Sequence, residues 1–350
     1  MATEVIKIVD PDNGSGTNYT SLSAWEAGEQ GDLTGARDEI AVAKCRCTGG
    51  TADTTAVTIE GWTTSATQYI KIWTDPSESY RHNGTYQTGN KYRLEVSNST
   101  AIDFNEYHLR IIGLQIRITS VNAHDQVCIR NWNTGWPSSG AIYISHNVIR
   151  GTNSQYVYHE GIGLWDQSST GGSSLKFFIY NNTVYGFTPV AGAPWKLWAS
   201  GIDFDANSGS SLAYMYNNTV AYCGNGCIDY GGSHVKIINN IAYQCDVPFF
   251  TNGSWLSGTG YNATDGSTAT GQSSDRTSQT FSFVDADNRD FHLQSTDTGA
   301  KGYGTNLSSD SDLPFSDDID GQDRGGSGAT WDIGADEYVA AYPYYAYAQQ

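Results

Sequence analysis

The sequence predicts an all-β chain folded as a single-stranded right-handed parallel β-helix, a solenoid with an N-terminal helical cap and an irregular C-terminal segment. Three observations predict this fold class. A short phrase recurs four times, a second column of similar triplets runs beside it, and the composition is poor in helix formers, with 16% charged residues and 39 glycines among 350 residues. Ser, Thr, Asn and Gly separate short apolar runs, which is typical of strands joined by turns.

The repeated phrase is a β-prone run with an asparagine at one fixed place. These asparagines are Asn147, Asn182, Asn218 and Asn240, separated by 35, 36 and 22 residues. A repeat of this size indicates stacked coils. We expect the four asparagines to take the left-handed conformation at a turn and to hydrogen-bond to one another as an internal ladder. Gly113 takes the same place in the preceding coil.

A second column consists of triplets in which a small or acidic residue stands between two apolar ones. The middle residues are Asp103, Gly163, Asp203 and Asp229. Successive residues of a strand point to opposite faces, so each middle residue is expected to face outward. The two columns predict two strands per coil, with Asp203 and Asp229 beside each other on neighbouring coils.

The chain divides into four segments. Residues 1–36 form a strand and a helical cap, in which a capping box from Ser23 to Glu26 opens the helix. Residues 37–255 form the coils. Residues 256–338 are an irregular acidic segment that finishes the β-helix, and residues 339–350 are a tail rich in Tyr and Ala.

Charge and hydropathy exclude several partners. The net charge is −18, from 37 acidic and 19 basic residues, and nucleic acid would require a basic surface. No apolar run has the length of a membrane span, and no basic stretch followed by an apolar one marks a Sec signal peptide. We expect no nucleic-acid partner, no membrane insertion, and a virion or extracellular location without a recognisable Sec signal.

Two further patterns have competing interpretations. Cys223 and Cys245 each follow a repeat asparagine by five residues, which predicts thiols on adjacent coils, stacked or joined in a disulfide. Asn181 and Asn217 each begin an Asn-X-Thr triplet, and both are expected to face outward. Since no signal peptide is visible, we interpret the triplets as products of the repeat and not as glycosylation sites.

Outward aspartates are the best candidates for catalysis. Carboxylates of Asp203 and Asp229 on neighbouring coils would share a proton, bind Ca²⁺ or act as a hydrolytic pair, with Asp205 on the same face. The competing interpretation is that these side chains keep the sheet soluble. Substrate-binding candidates for the same groove are aromatic or charged: Trp165, Trp198, Asp166, Glu160 and Arg130.

No cofactor is expected, and Ca²⁺ is the one ion that closely spaced acids would hold. Two such clusters lie at residues 285–290 and 317–323, but neither has the spacing of an EF-hand, and solvated turns are the favoured interpretation. The terminal tail suggests assembly contacts, because tyrosines give large contact area at low entropic cost. Its candidate residues are Tyr342, Tyr344, Tyr345 and Tyr347, and they predict a homo-oligomer or a larger protein assembly.

The C-terminal part of the chain resembles a known family. Residues 288–294, 298–302, 318–324 and 332–337 carry motifs in the order found at the end of pectate-lyase-like right-handed β-helix proteins, although residues 296–300 depart from that pattern. That group contains polysaccharide lyases, glycosidases, bacterial surface proteins and phage virion proteins, so its motifs are specific for fold and not for activity.

Two functions from different classes follow from the resemblance. The first is a non-enzymatic structural surface protein, specifically a phage capsid decoration, fibre or tail protein, that presents a rigid β-helix and binds surface glycans. The second is a carbohydrate-active enzyme, a polysaccharide lyase or glycoside hydrolase, with an Asp-lined groove. Few outward basic residues are visible in the middle coils to serve a lyase, which favours the first.

Overall fold

The computed structural model describes residues 2–120, 126–133, 139–153, 159–166, 175–189, 199–206, 210–325 and 328–340. Trp198, Tyr342, Tyr344, Tyr345 and Tyr347 lie outside the described residues. In the described part, nearly all strands are parallel and stack into three sheets, which is a solenoid-like architecture consistent with a parallel β-helix. The prediction of an all-β chain built mainly of parallel strands is confirmed.

Sheet 1 contains eight strands among the described residues and runs the length of the solenoid. In spatial order they are β1 (Thr3–Val9), β2 (Glu39–Cys45), β4 (Ile70–Trp73), β7 (His108–Ile112), β10 (Gly140–Ser145), β13 (Leu175–Tyr180), β16 (Leu212–Tyr216) and β19 (Val235–Ile238).

Sheets 2 and 3 have seven strands each within the same ranges. Sheet 2 contains β5 (Arg93–Ser97), β8 (Gln115–Ser120), β11 (Val148–Asn153), β14 (Thr183–Tyr185), β17 (Thr219–Ala221), β20 (Ile241–Tyr243) and β22 (Ala263–Thr264). Sheet 3 contains β3 (Val57–Ile59), β6 (Ile102–Phe104), β9 (Gln126–Asn133), β12 (His159–Asp166), β15 (Ala199–Asp205), β18 (Asn225–Asp229) and β21 (Val247–Thr251).

Each middle coil therefore has three strands, and the expectation of two per coil is wrong. The repeated phrase contains two strands and the corner between them, as β13 and β14 show, with the corner at residues 181–182. The corner is only two residues long, so the sequence reads as one continuous β-prone run. The interior is filled by in-register apolar side chains, each fully buried, such as the sheet 1 column Ile111, Ile144, Ile179, Met215 and Ile237.

The second residue of each corner forms an inner ladder. The side-chain amide of each of these asparagines donates to the side-chain oxygen of the next, at 3.0 Å for Asn147 to Asn182, Asn182 to Asn218 and Asn218 to Asn240. A fifth rung joins Asn240 to Asn262, also at 3.0 Å. The backbone N–H of each rung donates to the same oxygen. These buried amides satisfy one another without water, as buried polar groups require.

The first residue of each corner takes the left-handed conformation, and these residues form an outer ladder. Its members are His146, Asn181, Asn217 and Asn239, with φ between 49° and 58°. The expectation that the repeat asparagine itself is left-handed is wrong by one residue. Gly113 also belongs to the outer position, with φ of 73°, while Leu114 takes the inner one and donates its N–H to Asn147.

The N-terminal end is covered by one short helix, α1 (Leu22–Glu29). Its N-cap is Ser21, whose side chain accepts from the backbone N–H of Ala24 at 3.1 Å, so the predicted capping box at Ser23 is wrong. Glu26 points away from that end and accepts from the indole N–H of Trp62 at 2.9 Å. Glu26 thus forms a buried hydrogen bond with Trp62 in place of the predicted capping interaction with Ser23.

The coils continue past residue 255 to β22, and the chain then turns back along the outside. We name residues 281–338 the return segment. It includes the antiparallel pair β23 (Phe283–Asp285) and β24 (Asp290–Leu293), joined by a 3₁₀ helix at Ala286–Asn288. The return segment covers apolar side chains on the outer faces of sheets 2 and 1: Val148, Tyr185, Ala221 and Ile241, then Phe178, Tyr214, Tyr216 and Ile238.

Two remaining expectations concern thiols and membranes. Cys223 and Cys245 lie on neighbouring coils, two residues beyond the paired Ala221 and Tyr243, and both are free thiols. Among the described residues, the structure contains no helix of the length and apolarity that spanning a bilayer requires.

Candidate functional site

The acidic residues predicted for catalysis belong to a row on the outer face of sheet 3. The row runs from Asp103 of β6 through Arg130 of β9 and Gly163 of β12 to Asp203 of β15. Neighbouring strands are about 4.8 Å apart, so side chains in one row come into contact. Arg130 donates to Asp103 at 2.5 Å. The row therefore places one ion pair beside an acidic centre.

The acidic centre is a pair formed by Asp203 and Glu160. Both residues are only 1% exposed, and their side chains are hydrogen-bonded to each other. Glu160 reaches Asp203 by lying over Gly163, where a Cβ atom would come within 2.0 Å of its Oε2 atom. A side chain at position 163 would therefore displace the carboxyl group, which explains the small residue in the middle of this triplet.

Burial raises the pKa of Asp203 well above its usual range, and the neighbouring Asp205 carboxylate raises it further. A hydrogen bond between two carboxyl oxygens needs a proton on one of them, so at neutral pH one member of the pair donates and the other accepts. Chemically, the arrangement can hold or release a single proton. Asp205 lies two residues further along β15, on the same face and partly exposed.

Asp229 does not join this pair, contrary to the expected alignment. Asp203 is in register with Ile228, and Asp229 is in register with Phe204, so the two columns are offset by one residue at this step. Asp229 instead accepts from the backbone N–H of Gly232 at 2.9 Å at the end of its strand. The similar triplets at both positions concealed the offset. Ile202 is in register with Cys227 and not with Ile228, so the two similar triplets start one residue apart.

The substrate-binding candidates are divided between the row and its surroundings. Trp165 is partly buried and in register with Asp205, and its backbone exchanges two 2.8 Å hydrogen bonds with the side chain of Asn131. Asp166 is fully buried and accepts from the backbone N–H of Ser211 at 3.3 Å. Trp198 is not among the described residues. The structure thus brings Glu160, Asp203 and Asp205 together beside Arg130, and uses Asp166 to hold a turn.

The acidic clusters considered for Ca²⁺ stabilise turns in this structure. Asp285 caps the 3₁₀ helix by accepting from Asn288 at 3.2 Å, and Asp318 accepts from Asp320 and Gln322 at 2.9 and 2.8 Å. The carboxylates of Asp285 and Asp318 therefore already have backbone N–H partners.

One group with metal-ligand chemistry occurs among the described residues, formed by His292, Asp320 and Asp336, with ligand atoms within 4.8 Å of one another. Both ring nitrogens of His292 are engaged by carboxylates, at 2.5 Å to Asp290 and 3.0 Å to Asp320. Burial alone would lower the pKa of His292, but these hydrogen bonds outweigh it and raise that pKa to about 11. In this structure the side chains form an ion-pair cluster, with the His292 ring between the carboxylates of Asp290 and Asp320.

The glycosylation triplets are buried, against the expectation that their first asparagines face outward. Asn181 and Asn217 are fully buried members of the outer ladder. Their amides donate to backbone carbonyls of the return segment, Asn181 to Asp317 at 2.8 Å and Asn217 to Gly334 at 3.0 Å. These residues bind the return segment and are not accessible acceptors in the folded chain.

Sequence reasoning missed a second surface, on the outer face of sheet 1. Lys71, Trp73 and Arg110 project outward there, beside the buried Arg81. Alternation along β4 and β7 carries the signal, since Lys71, Trp73 and Arg110 occupy the polar or large places between buried isoleucines and leucine. No protein-family model and no curated protein matches this chain.

Proposed function

We propose that this chain is a non-enzymatic structural surface protein, specifically a phage virion component such as a capsid decoration, fibre or tail protein. We further propose that its coils are right-handed and of the pectate-lyase-like kind, because parallel strands joined by crossovers are right-handed in about 98% of cases. Such a rod would present its outer faces, and any glycan site on them, in a fixed direction.

The observation that carries the proposal is the place where the chain leaves the solenoid. The backbone N–H of Ala335 donates to the hydroxyl of Thr219 at 3.0 Å. The fully buried guanidinium of Arg324 donates to Asn181 at 3.1 Å and to the carbonyl of Ala335 at 2.7 Å. The described chain therefore ends against the side of the middle coils. A Tyr-rich tail that starts there is suited to contacts between rods lying side by side.

The state of the acidic pair also supports a non-enzymatic role. Asp203 and Glu160 are 1% exposed and bond to each other, whereas a group that acts on substrate must reach it. In glycosidases the two carboxyl groups stand about 5 Å or more apart, further than two hydrogen-bonded carboxyl groups.

Removal of residues 339–350 tests the assembly. We expect the full chain to form oligomers in mass photometry at micromolar concentration and the truncated chain to be monomeric with an unchanged circular dichroism spectrum. A full chain that is monomeric, and stays so after truncation, would overturn the proposal.

A carbohydrate-active enzyme is the second candidate, and the raised pKa of Asp203 favours it. Asp203 and Asp205 project from the same face of β15, with Cα atoms about 6.6 Å apart, and two neighbouring carboxyl groups are the catalytic equipment of most glycosidases. Reducing-sugar release and ultraviolet absorbance over a polysaccharide panel would detect it. Loss of activity in Asp203→Asn, with activity retained in the matched control Asp103→Asn, would establish it, and a blank panel would eliminate it.

A further inference from the structure

The outer face of sheet 1 has a covered half and an open half. One row runs in register from Lys71 and Arg110 through the aromatic side chains of Tyr143, Phe178 and Tyr214. The return segment packs on the far half of this face, where Leu307, Leu313 and Trp331 contact Phe178 and Tyr214, among others. The near half of this face contains Lys71 and Arg110 and borders the return segment.

The near half forms a cavity of about 280 Å³ between sheet 1 and the return segment. Its lining combines cationic and aromatic side chains with one acid from the return segment: Lys71, Trp73, Arg81, Arg110, Tyr180 and Asp317. A second cavity, of about 100 Å³, lies next to it and shares Arg110. Lys71 is ion-paired with Glu4 at 2.9 Å, so Arg81 and Arg110 supply the positive charge of this cavity in a chain with a net charge of −18.

Arg81 is the buried cation of this cavity. Its guanidinium lies against the backbone of Gly113, so close that a Cβ there would meet its Nη1 atom at 2.0 Å. Gly113 is the outer-ladder position without a side chain, and Arg81 occupies the space that a side chain would fill. Its Nη1 donates to the carbonyl of Thr74 at 3.2 Å, while its buried Nε has no hydrogen-bond partner among the described residues.

The charge of Arg81 is not neutralised by a direct ion pair. Burial lowers the pKa of Arg81 to about 10, so the group stays protonated at neutral pH. Within the described ranges neither Arg81 nor Arg110 forms an ion pair, and the carboxylates of Asp317, Asp320 and Asp75 act on the Arg81 charge without contacting it. Burying a guanidinium without a direct partner is costly, and an anionic ligand in the cavity would supply a contact that these carboxylates do not make.

Arg110 and the aromatic side chains provide flat surfaces beside this charge. The guanidinium of Arg110 lies 4.0 Å from the ring centre of Tyr69 and 5.1 Å from that of Tyr143, which fixes its plane. Trp73 lines the same cavity, and its buried indole N–H has no partner in the described part of the chain. Planar rings beside donors and cations are the chemistry that recognises a sugar ring carrying an acidic group.

We propose that this groove on sheet 1, lined by Trp73, Arg81 and Arg110, binds an anionic sugar, with its acidic group on the two arginines and its ring against the aromatic side chains. The acidic group is a carboxylate, sulfate or phosphate. The groove lies on a different sheet from Asp203 and Glu160, so binding there does not depend on that pair. The proposal deepens the proposed surface role by naming a ligand class, and binding is measured on the isolated chain.

Isothermal titration with single sugars tests the proposal at low ionic strength. The probes are N-acetylneuraminic acid, glucuronic acid, glucose 6-sulfate and glucose 6-phosphate, with glucose and inorganic phosphate as controls. We expect at least one anionic sugar to bind with a Kd of about 1 mM, and glucose and phosphate at least tenfold more weakly. If glucose binds as tightly as the anionic sugars, the acidic group does not contribute and the proposal is wrong. If phosphate binds as tightly, the sugar ring does not contribute and the proposal is likewise wrong. No binding of any anionic sugar would also overturn it.

A pair of matched variants locates the site. Arg110→Gln should weaken binding at least tenfold, because it removes a cation from both cavities. Arg150→Gln is the control, since Arg150 also lies over a tyrosine, 5.7 Å from the ring centre of Tyr86, but belongs to sheet 2. Equal weakening in both variants would place the binding elsewhere. A monomeric chain that binds the sugar would overturn the assembly proposal and leave this one standing.

Discussion

The two ladders sit on adjacent residues of the same corners and stabilise different parts of the molecule. The inner ladder joins coil to coil, as in the 3.0 Å bond from Asn218 to Asn240. The outer ladder joins coil to return segment, as in the 3.0 Å bond from Asn217 to the carbonyl of Gly334. Asn217 and Asn218 are the same residue type, are both fully buried, and differ by one position.

The difference shows how a solenoid carries a long irregular segment. The inner place is asparagine in five successive coils, because each rung must both donate to and accept from an identical neighbour. The outer place varies between glycine, histidine, asparagine and, at residue 261, tyrosine, since its members also contact different parts of the chain. His146, for example, lies 3.3 Å from the Asp317 carboxylate, whereas Gly113 leaves room for Arg81.

The largest effect is expected for Asn218→Ala in the inner ladder. The side chain of Asn218 donates to Asn240 and to the carbonyl of Ile179, and accepts twice from Asn182. Alanine leaves these buried groups without partners, at a total cost of about 4 kcal/mol. Equilibrium urea denaturation should show this fall in the free energy of unfolding, and a change below 1 kcal/mol would contradict the ladder's role.

Arg324→Met should have the next largest effect and should act on the return segment. The buried guanidinium donates to Asn181 at 3.1 Å and to the carbonyls of Asp317, Gly334 and Ala335 at 2.8, 3.0 and 2.7 Å. Its loss leaves these acceptors unpaired. We therefore expect the free energy of opening of the return segment, as measured by hydrogen exchange, to fall by about 3 kcal/mol. Hydrogen exchange with mass spectrometry should show faster exchange in residues 300–338 and unchanged exchange in sheet 3. Uniform acceleration would mean that the two parts unfold together.

Asn217→Ala is the matched partner of Asn218→Ala and should be milder. It removes bonds to the carbonyls of Asp332 and Gly334 and one from Asn239, at a cost of about 2 kcal/mol. The same exchange experiment should localise this loss to the return segment. If Asn217→Ala and Asn218→Ala lower the global stability equally, the two ladders do not stabilise different parts of the molecule.

A pH dependence, separate from these substitutions, is expected from the ion-pair cluster around His292. Because hydrogen bonds raise the pKa of His292 to about 11, the folded chain keeps a proton that the unfolded chain loses near pH 6.5. This contribution to stability is complete below pH 6.5 and is lost as pH rises toward 11, at a slope below about 1.4 kcal/mol per pH unit. The melting temperature should fall between pH 7 and 10, and His292→Gln should flatten that fall. An identical slope in both chains would show that other groups are responsible.

The sequence predicts the coil stack well because its signals are local and repeated. The spacing of the four asparagines identifies the inner rungs, and β-alternation identifies the buried faces. The third sheet was missed because β13 and β14 are separated by only two residues. The offset between Asp203 and Asp229 was missed because the triplets that begin at Ile202 and Ile228 are alike, although Ile202 is in register with Cys227.

Partners of the outer ladder and of the groove on sheet 1 could not be predicted from the sequence. Asn181 meets Asp317 across 136 residues, and Arg324 meets Asn181 across 143. No periodicity relates an irregular segment to the coils it covers, so only the folded chain reveals which side chains are hidden. Glu160 illustrates the same limit, because its contact with Asp203 depends on the open space above Gly163.

The inner ladder has a consequence for how such a chain can change. Its rungs keep a 3.0 Å bond whether 35, 36 or 22 residues separate them. Coil spacing is therefore independent of coil length, and residues added between two rungs extend the surface without displacing the neighbouring coils. New loops can be gained, lost or grafted one coil at a time, which makes this architecture a suitable frame for displaying foreign peptides.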